Sequence, residues 1–265
     1  MYKIICLAWI TGFLLSGCTF KSTKQSPTKD TVKHTPDTSA YQMRAVKDVE
    51  PNCDTTKNKC TYMTISYPYF SDQPALNDSI ERRIAKIYLA ENPLSSLKEL
   101  RSVFMKDYLL FKKEPYAEGR TYEFMNTTRV LTNRPALMTL QFESYTYTGG
   151  AHGGSLTTFI NWDTKAKKSV LLDDILIPGY ANSLNRIAEN IFRKNEGITP
   201  TDDLKAYFFE NNVFKLNTNY LLTDSGIKFM YNQYEIKPYA AGKTELFIPY
   251  TAIKSLLKPN TVIEN

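Results

Sequence analysis

The segment from Tyr145 to Gly154, YTYTGGAHGG, is the part of the sequence best suited to binding or chemistry, because two tyrosines, four glycines and a histidine fall within it. Glycine lets a backbone adopt positive φ and approach another group closely. An imidazole can bind a ligand or transfer a proton near neutral pH. The segment therefore predicts either a binding loop around His152 or a plain strand connection in which His152 hydrogen-bonds its own loop. The candidate ligand-binding residues are Tyr145, Tyr147, Gly149, Gly150, His152, Gly153, Trp162 and Tyr239.

Two of these candidates have a second interpretation. Trp162, like Phe159, is equally consistent with a core residue, and Tyr239 with a turn residue before Gly242.

The residues do not supply a recognisable catalytic centre. His152 is the only histidine outside the N-terminal region, so a zinc site would need carboxylates to complete its ligands. Side chains of adjacent residues point in different directions along a strand or helix, so the acid pairs at 173–174 and 202–203 are not placed to act together in catalysis. Such pairs are typical of turn and cap residues. There is no Gly-x-Ser-x-Gly nucleophile elbow and no phosphate-binding loop. The sequence predicts no catalytic residue, no metal and no cofactor.

The first eighteen residues are typical of an exported protein. A lysine precedes an apolar run from Ile4 to Leu15, which is too short to span a bilayer. Leu15-Ser16-Gly17-Cys18 resembles the lipobox of bacterial lipoproteins. The resemblance implies a signal peptide over 1–17 and a mature chain that begins at an acylated (palmitate-bearing) Cys18; the alternative is a buried apolar helix. The residue after Cys18 is Thr19 and not Asp. In a Gram-negative host this implies sorting to the outer membrane, as a lipoprotein that faces the periplasm.

Residues 18–40 predict a tether, because they are polar and lack apolar periodicity. Cys6 would leave with the signal peptide, so Cys53 and Cys60 remain as an even pair across a polar loop. In an exported protein such a pair is typical of a disulfide, here closing a hairpin loop.

Apolar spacing predicts an α+β fold with an antiparallel sheet and about three to four helices. Helices are expected over 74–87, 94–112 and 180–195, with a shorter one beginning at 199–203 and a last short one over 250–257. Strands are expected over 41–46, 62–67, 121–125, 130–132, 136–147, 156–162, 169–172, 219–222, 227–231 and 245–248. The formal charge of +6 is spread along the chain, which gives no indication of a nucleic-acid partner.

Several longer motifs resemble known envelope domains. The segments GGAHG (149–153), NWD (161–163), LLDDIL (171–176), FMYNQYEIKPYAAG (229–242) and IPY (248–250) are similar to the C-terminal domain of the RsiV family of lysozyme-sensing anti-sigma factors. ISYP (65–68) and LNDSI (76–80) are similar to the domain that precedes the catalytic domain of the PdaC peptidoglycan deacetylases. The resemblance implies a PdaC-like part over 41–142 and an RsiV-like part over 143–258.

This resemblance implies an extracytoplasmic α+β module, which in the RsiV family binds lysozyme. The chain lacks that family's sigma-binding segment and the deacetylase catalytic domain, so neither activity carries over. The sequence favours a non-enzymatic, lipid-anchored protein of the bacterial cell envelope that recognises envelope glycan (peptidoglycan) or a glycan-cleaving enzyme such as lysozyme. Two alternatives stay open: a peptidoglycan-directed hydrolase or deacetylase accessory protein, and a structural envelope lipoprotein.

Overall fold

The computed structural model describes residues 38–57, 59–88 and 94–264. The predicted signal peptide, Cys18 and nearly all of the predicted tether lie outside the described residues.

A six-stranded sheet forms the N-terminal part of the fold, with its strands arranged in sequence order. The strands are β1 (Tyr41–Val49), β2 (Tyr62–Phe70), β3 (Tyr122–Asn133), β4 (Leu137–Thr148), β5 (Gly154–Asp163) and β6 (Lys168–Ser169). All neighbours are antiparallel except β2 and β3, which are parallel. The α+β class is confirmed, but the expectation of an antiparallel sheet is wrong at this pair. Two helices connect β2 to β3, and a helical crossover is how parallel neighbours are joined.

Those two helices, α1 (Pro74–Tyr88) and α2 (Leu97–Phe111), cover one face of the sheet. Helix α1 buries one face. Leu76, Ile80 and Ile84, which are four residues apart, are 0% exposed. Helix α2 starts at Ser96, whose hydroxyl accepts the Glu99 N–H at 3.2 Å. The core between helices and sheet takes the inward residues of β2 to β5, because side chains alternate between the two faces of a strand.

The C-terminal part is built on a three-stranded antiparallel sheet. It consists of β7 (Tyr220–Leu222), β8 (Gly226–Tyr231) and β9 (Thr244–Pro249), with α3 (Leu172–Ile175) and α4 (Tyr180–Glu196) completing its core. Leu184, Ala188 and Phe192 form the buried face of α4, while Ile187 and Ile191 lie at its half-buried edge.

The structure corrects several predicted elements. The expected strand over 169–172 is cut short, because the Asp174 carboxylate accepts the Leu171 N–H at 2.8 Å and begins α3. No helix begins at 199–203: Asp202 accepts the Thr199 N–H at 2.8 Å to close a turn. Arg193 donates to the Thr199 and Asp202 carbonyls at 3.0 and 2.9 Å, which stabilises this turn. The last predicted helix is a 3₁₀ segment, and the two strands expected over 121–132 are one bulged strand, β3.

Buried asparagine side chains join the two sheets. The Asn161 amide on β5 accepts the Leu222 N–H at 2.8 Å and donates to the Tyr220 carbonyl at 2.9 Å, so it pairs with β7 as a strand backbone would. Asn232, which follows β8, makes the same two-way pairing with the backbone of Thr157 on β5, at 2.7 and 3.1 Å. Only 5% of Asn161 and 8% of Asn232 are exposed. These contacts set the C-terminal sheet against the face of the large sheet that the helices leave uncovered.

Replacing Asn161 by alanine should lower the free energy of unfolding by about 2–4 kcal/mol, because a buried N–H and a buried carbonyl lose their partners together. Denaturant unfolding measures this loss. Asn195→Ala, at an exposed position of α4, is the control and should change stability by less than about 0.5 kcal/mol. Equal effects of the two substitutions would show that the amide bridge does not hold the sheets together.

Candidate functional site

Aromatic side chains from both sheets meet at one end of the β4–β5 hairpin. We call Tyr145, Tyr147, His152, Tyr234 and Tyr239 the tyrosine–histidine cluster. The His152 ring stacks on the Tyr239 ring with centroids 4.6 Å apart, and the Tyr234 and Tyr239 rings are 5.5 Å apart. His152 and Tyr234 are exposed and the other three are half-buried. The cluster is therefore a partly open aromatic surface and not a closed core.

Hydrogen bonds fix the orientation of His152. Its Nδ1 lies 3.2 Å from the Gly153 carbonyl, which can only accept, so Nδ1 carries a proton. Nε2 lies 3.3 Å from the Tyr234 hydroxyl, a group that can donate or accept. The imidazole thus helps to position Tyr234. Its two hydrogen-bond partners are the Gly153 carbonyl and the Tyr234 hydroxyl, and neither is a serine or cysteine nucleophile. This arrangement combines the two interpretations of the loop, since His152 both orders its own loop and contributes an exposed ring.

The predicted glycines lie beneath the aromatic rings. A Cβ on Gly153 would come within 2.4 Å of the Tyr145 ring, so only glycine lets that ring settle on the loop. Gly149 has a φ of 78°, and a Cβ there would meet Phe111 at 2.6 Å. The Arg120 guanidinium donates to the Gly149 carbonyl at 2.9 Å. Gly149 and Gly153 are buried, so packing inside the protein explains them, while Gly150 is exposed.

Tyr234 has an unusual backbone, with a φ of 65°. A left-handed conformation costs a non-glycine residue about 1–2 kcal/mol. The turn is held by Glu235, whose carboxylate accepts the Asn232 N–H at 2.8 Å and the Asn217 amide at 2.6 Å. Tyr234 is 55% exposed and lies at the rim of the cluster. Strained residues held in this way are frequent at binding sites.

The open face of the large sheet continues the cluster. Glu123 on β3 lies directly between Tyr62 on β2 and Tyr147 on β4, and Tyr145 pairs with Met125 one step along the same face. The Tyr62 hydroxyl donates to Glu123 Oε2 at 3.3 Å. Burial, together with the negative charge of Glu123, raises the pKa of Tyr62 and of Tyr145. Both phenols therefore remain hydrogen-bond donors at neutral pH.

The predicted disulfide between Cys53 and Cys60 is present, with an S–S distance of 1.97 Å, in the connection between β1 and β2. It borders a groove of about 660 Å³ beside the glycine loop, which Tyr108, Lys112 and Arg120 also line. Glu50 lies at the base of the groove and is 8% exposed. Burial alone would raise its pKa, but hydrogen bonds from Lys112 and Tyr108 outweigh burial and lower it.

The tyrosine–histidine cluster and the groove beside the disulfide both lie at the end of the sheet that is remote from the start of the described chain. Ser39 hydrogen-bonds Asn133 and Asp72, at the opposite end from Gly153. Strand β1 has nine residues, so it separates the two ends by about 30 Å.

Trp162 is the predicted site residue that the structure places elsewhere. It is 3% exposed and packs between the sheet and the helices, with its Nε1 3.4 Å from Gln73 Oε1. The core interpretation of Trp162 is therefore correct. Sequence reasoning missed Tyr62, Glu123 and Tyr234. The alternating pattern of β2 and β3 marked the first two as outward-facing, but only strand order makes them neighbours.

Within the described ranges, no group of three or more His, Cys, Asp or Glu side chains is placed to hold a metal ion. In the same part of the chain, every helix is too short or too polar to cross a bilayer.

Comparison with known families identifies two domains that meet at this site. Residues 55–155 match the family described as deacetylase PdaC, and residues 173–251 match DUF3298, described as a protein of unknown function. The chain thus contains a PdaC-like domain followed by a DUF3298 domain. The predicted boundary at 142–143 falls inside β4, and that division stays a prediction.

Two crystal structures of DUF3298 proteins are similar to the whole described fold. One, from Bacteroides fragilis, is 26% identical with a TM-score of 0.70, covering 86% of this chain and 98% of its own. The other, from Pseudomonas aeruginosa, is 26% identical with a TM-score of 0.69, covering 84% of this chain and 96% of its own. No curated protein matches the chain.

Gly153→Ala should destabilise the protein by about 1–3 kcal/mol and displace the Tyr145 ring, because the added methyl group overlaps that ring. Denaturant unfolding and the near-ultraviolet circular dichroism of tyrosine measure both effects. Gly154→Ala is the matched control, since a Cβ there meets nothing within 4 Å. If Gly153→Ala is as stable as the control, the glycine is not needed for ring packing.

Proposed function

We propose that this protein is a lipid-anchored, non-enzymatic binding protein of the bacterial cell envelope and that the tyrosine–histidine cluster recognises envelope glycan. The observation that carries the proposal is the partly open aromatic surface of His152, Tyr234 and Tyr239, set beside the polar face of the sheet. Sugar rings have apolar C–H faces that stack on the electron-rich faces of aromatic rings. Their hydroxyls are matched by the donors and acceptors that surround the cluster, among them the Tyr62 hydroxyl and the Glu123 carboxylate.

The domain composition supports an envelope role. Both the PdaC-like match and the resemblance of the C-terminal motifs to the RsiV family connect this fold to extracytoplasmic proteins. The Cys53–Cys60 disulfide agrees with an oxidising compartment. The described chain begins at the end of the sheet about 30 Å from the cluster, which leaves the cluster accessible to a polymer when the chain is anchored at Cys18.

Glycan is a better ligand for this surface than lysozyme. Lysozyme is strongly basic, and the chain itself carries +6, so the two proteins would repel each other at long range. A sugar chain carries at most about one charge on each ring, so its long-range repulsion from the chain is smaller than that of a strongly basic protein. The resemblance to the RsiV family nevertheless makes lysozyme the protein ligand to test in parallel.

Tyr234→Ala and Tyr239→Ala should each weaken binding to purified peptidoglycan by about tenfold or more, since exposed aromatic residues dominate such sites. Co-sedimentation with sacculi measures the affinity. Tyr69→Ala is the control, because Tyr69 lies on β2 at the opposite end of the sheet.

Failure of the unsubstituted protein to sediment with sacculi would refute glycan binding. Retention on immobilised lysozyme at low and high salt, without sedimentation, would assign a protein ligand instead. Release of soluble fragments from peptidoglycan, abolished by His152→Ala, would assign the protein to the hydrolases.

Cys18→Ser should move the protein from the membrane to the soluble fraction, because two or three acyl chains are what make such anchoring durable. Cell fractionation and incorporation of labelled palmitate measure this change. Cys6→Ser is the control and should leave both unchanged. An unacylated chain in the cytoplasm would refute the envelope assignment.

A further inference from the structure

We infer that Glu123 binds a positively charged group of the ligand, so that the glycan preferred by this surface carries free amino groups. This inference rests on the proposed function and specifies the chemical class of the sugar. Glu123 is half-buried on β3, with tyrosines on the neighbouring strands at either side. A carboxylate in such a place can bind a cationic group of a ligand, because hydrogen bonds between charged partners are the strong ones.

Glu123 has no such partner within the chain. In the part that the structure describes, its one hydrogen bond comes from the neutral Tyr62 hydroxyl, and no lysine or arginine forms an ion pair with it. The carboxylate therefore keeps acceptor positions that face the open side of the sheet.

The aromatic surroundings favour a cation over a neutral donor. Tyr62 and Tyr147 flank Glu123 in register, and Tyr145 is close enough for the negative charge of Glu123 to help burial raise its pKa. Tyrosine faces attract cations through the quadrupole of the ring, and the attraction strengthens as water is excluded. A carboxylate between tyrosines is thus complementary to a primary ammonium group, which an amino sugar has after loss of its acetyl group.

Glu143, on the same face of the sheet, is a carboxylate whose charge is paired within the chain. It lies on β4 opposite Thr127, four residues along the register from the Glu123–Tyr147 pair and on the same face of the sheet. Its charge is paired with Arg129, and it accepts the Gln141 amide at 2.9 Å. Both carboxylates are half-buried on one sheet face, but only Glu143 has a cation of its own. The difference makes Glu143 the matched control.

The test compares two probes that differ only in the acetyl group: a glucosamine oligomer and an N-acetylglucosamine oligomer of equal length. Calorimetric titration of the full chain at about pH 6, where a primary amine is protonated, should give about tenfold tighter binding of the glucosamine oligomer. Glu123→Gln should remove that preference, so that the two oligomers bind with equal affinity. Glu143→Gln should keep the preference, and added salt should reduce it.

The outcomes separate this inference from the function on which it rests. Equal binding of both oligomers, or a preference that persists in Glu123→Gln, overturns the inference and leaves glycan binding intact. If neither oligomer nor peptidoglycan binds, the proposed function itself fails. If Glu123→Gln does not fold, Glu123→Asp keeps the charge but withdraws it by one methylene, and it should give an intermediate preference. Binding of lysozyme that is lost in Glu123→Gln would mean that the cation belongs to a protein, which also overturns the inference.

Discussion

The amide side chains of Asn161 and Asn232 are the contacts on which the candidate site depends. Each pairs in both directions with the backbone of the other sheet, so the sheets are held at a fixed offset without sharing a strand. A small apolar cluster of Phe159, Leu221 and Met230 fills the space beside them. Because Asn232 lies two residues before Tyr234, the same pairing that joins the sheets also places the tyrosine turn opposite the His152 loop. Stability and site geometry therefore share one set of buried hydrogen bonds, and such bonds are costly to break.

Loop order in this protein comes from rings packed on glycines. Gly153 lies beneath Tyr145 and Gly149 beneath Phe111, which gives a glycine-rich segment defined positions despite its backbone freedom. Tyr234 represents the opposite case, since a bulky residue is held at positive φ by the Glu235 carboxylate and the turn around it. Together they arrange several aromatic faces before any ligand arrives. A preorganised surface binds at lower entropic cost than one that must be ordered by its ligand.

Charge acts locally on this surface. The chain is basic overall, yet the acidic group at the cluster, Glu123, is not neutralised by any of the ion pairs that the structure describes. The net charge acts at long range mainly at low salt. At physiological salt, charges more than about 8 Å apart are largely screened, so a ligand at the surface is governed mostly by the groups it touches. Glu50 shows the contrast, because its carboxylate is buried and already bonded to Lys112 and Tyr108.

The sequence by itself determined the elements with strong periodicity. It determined the buried stripe of α1, the β1–β2 hairpin with its disulfide, and the α+β class, because these depend on spacing along the chain. Only the tertiary structure decided that β2 and β3 are parallel, that Trp162 is core, and that Glu123 lies between Tyr62 and Tyr147. It also overruled the helix expected at 199–203, where hydrogen bonds of Asp202 and Arg193 hold a turn instead. The physical reason is that alternation tells which face a side chain takes, whereas strand order and long-range hydrogen bonds tell what it faces, and these depend on residues far apart in the chain.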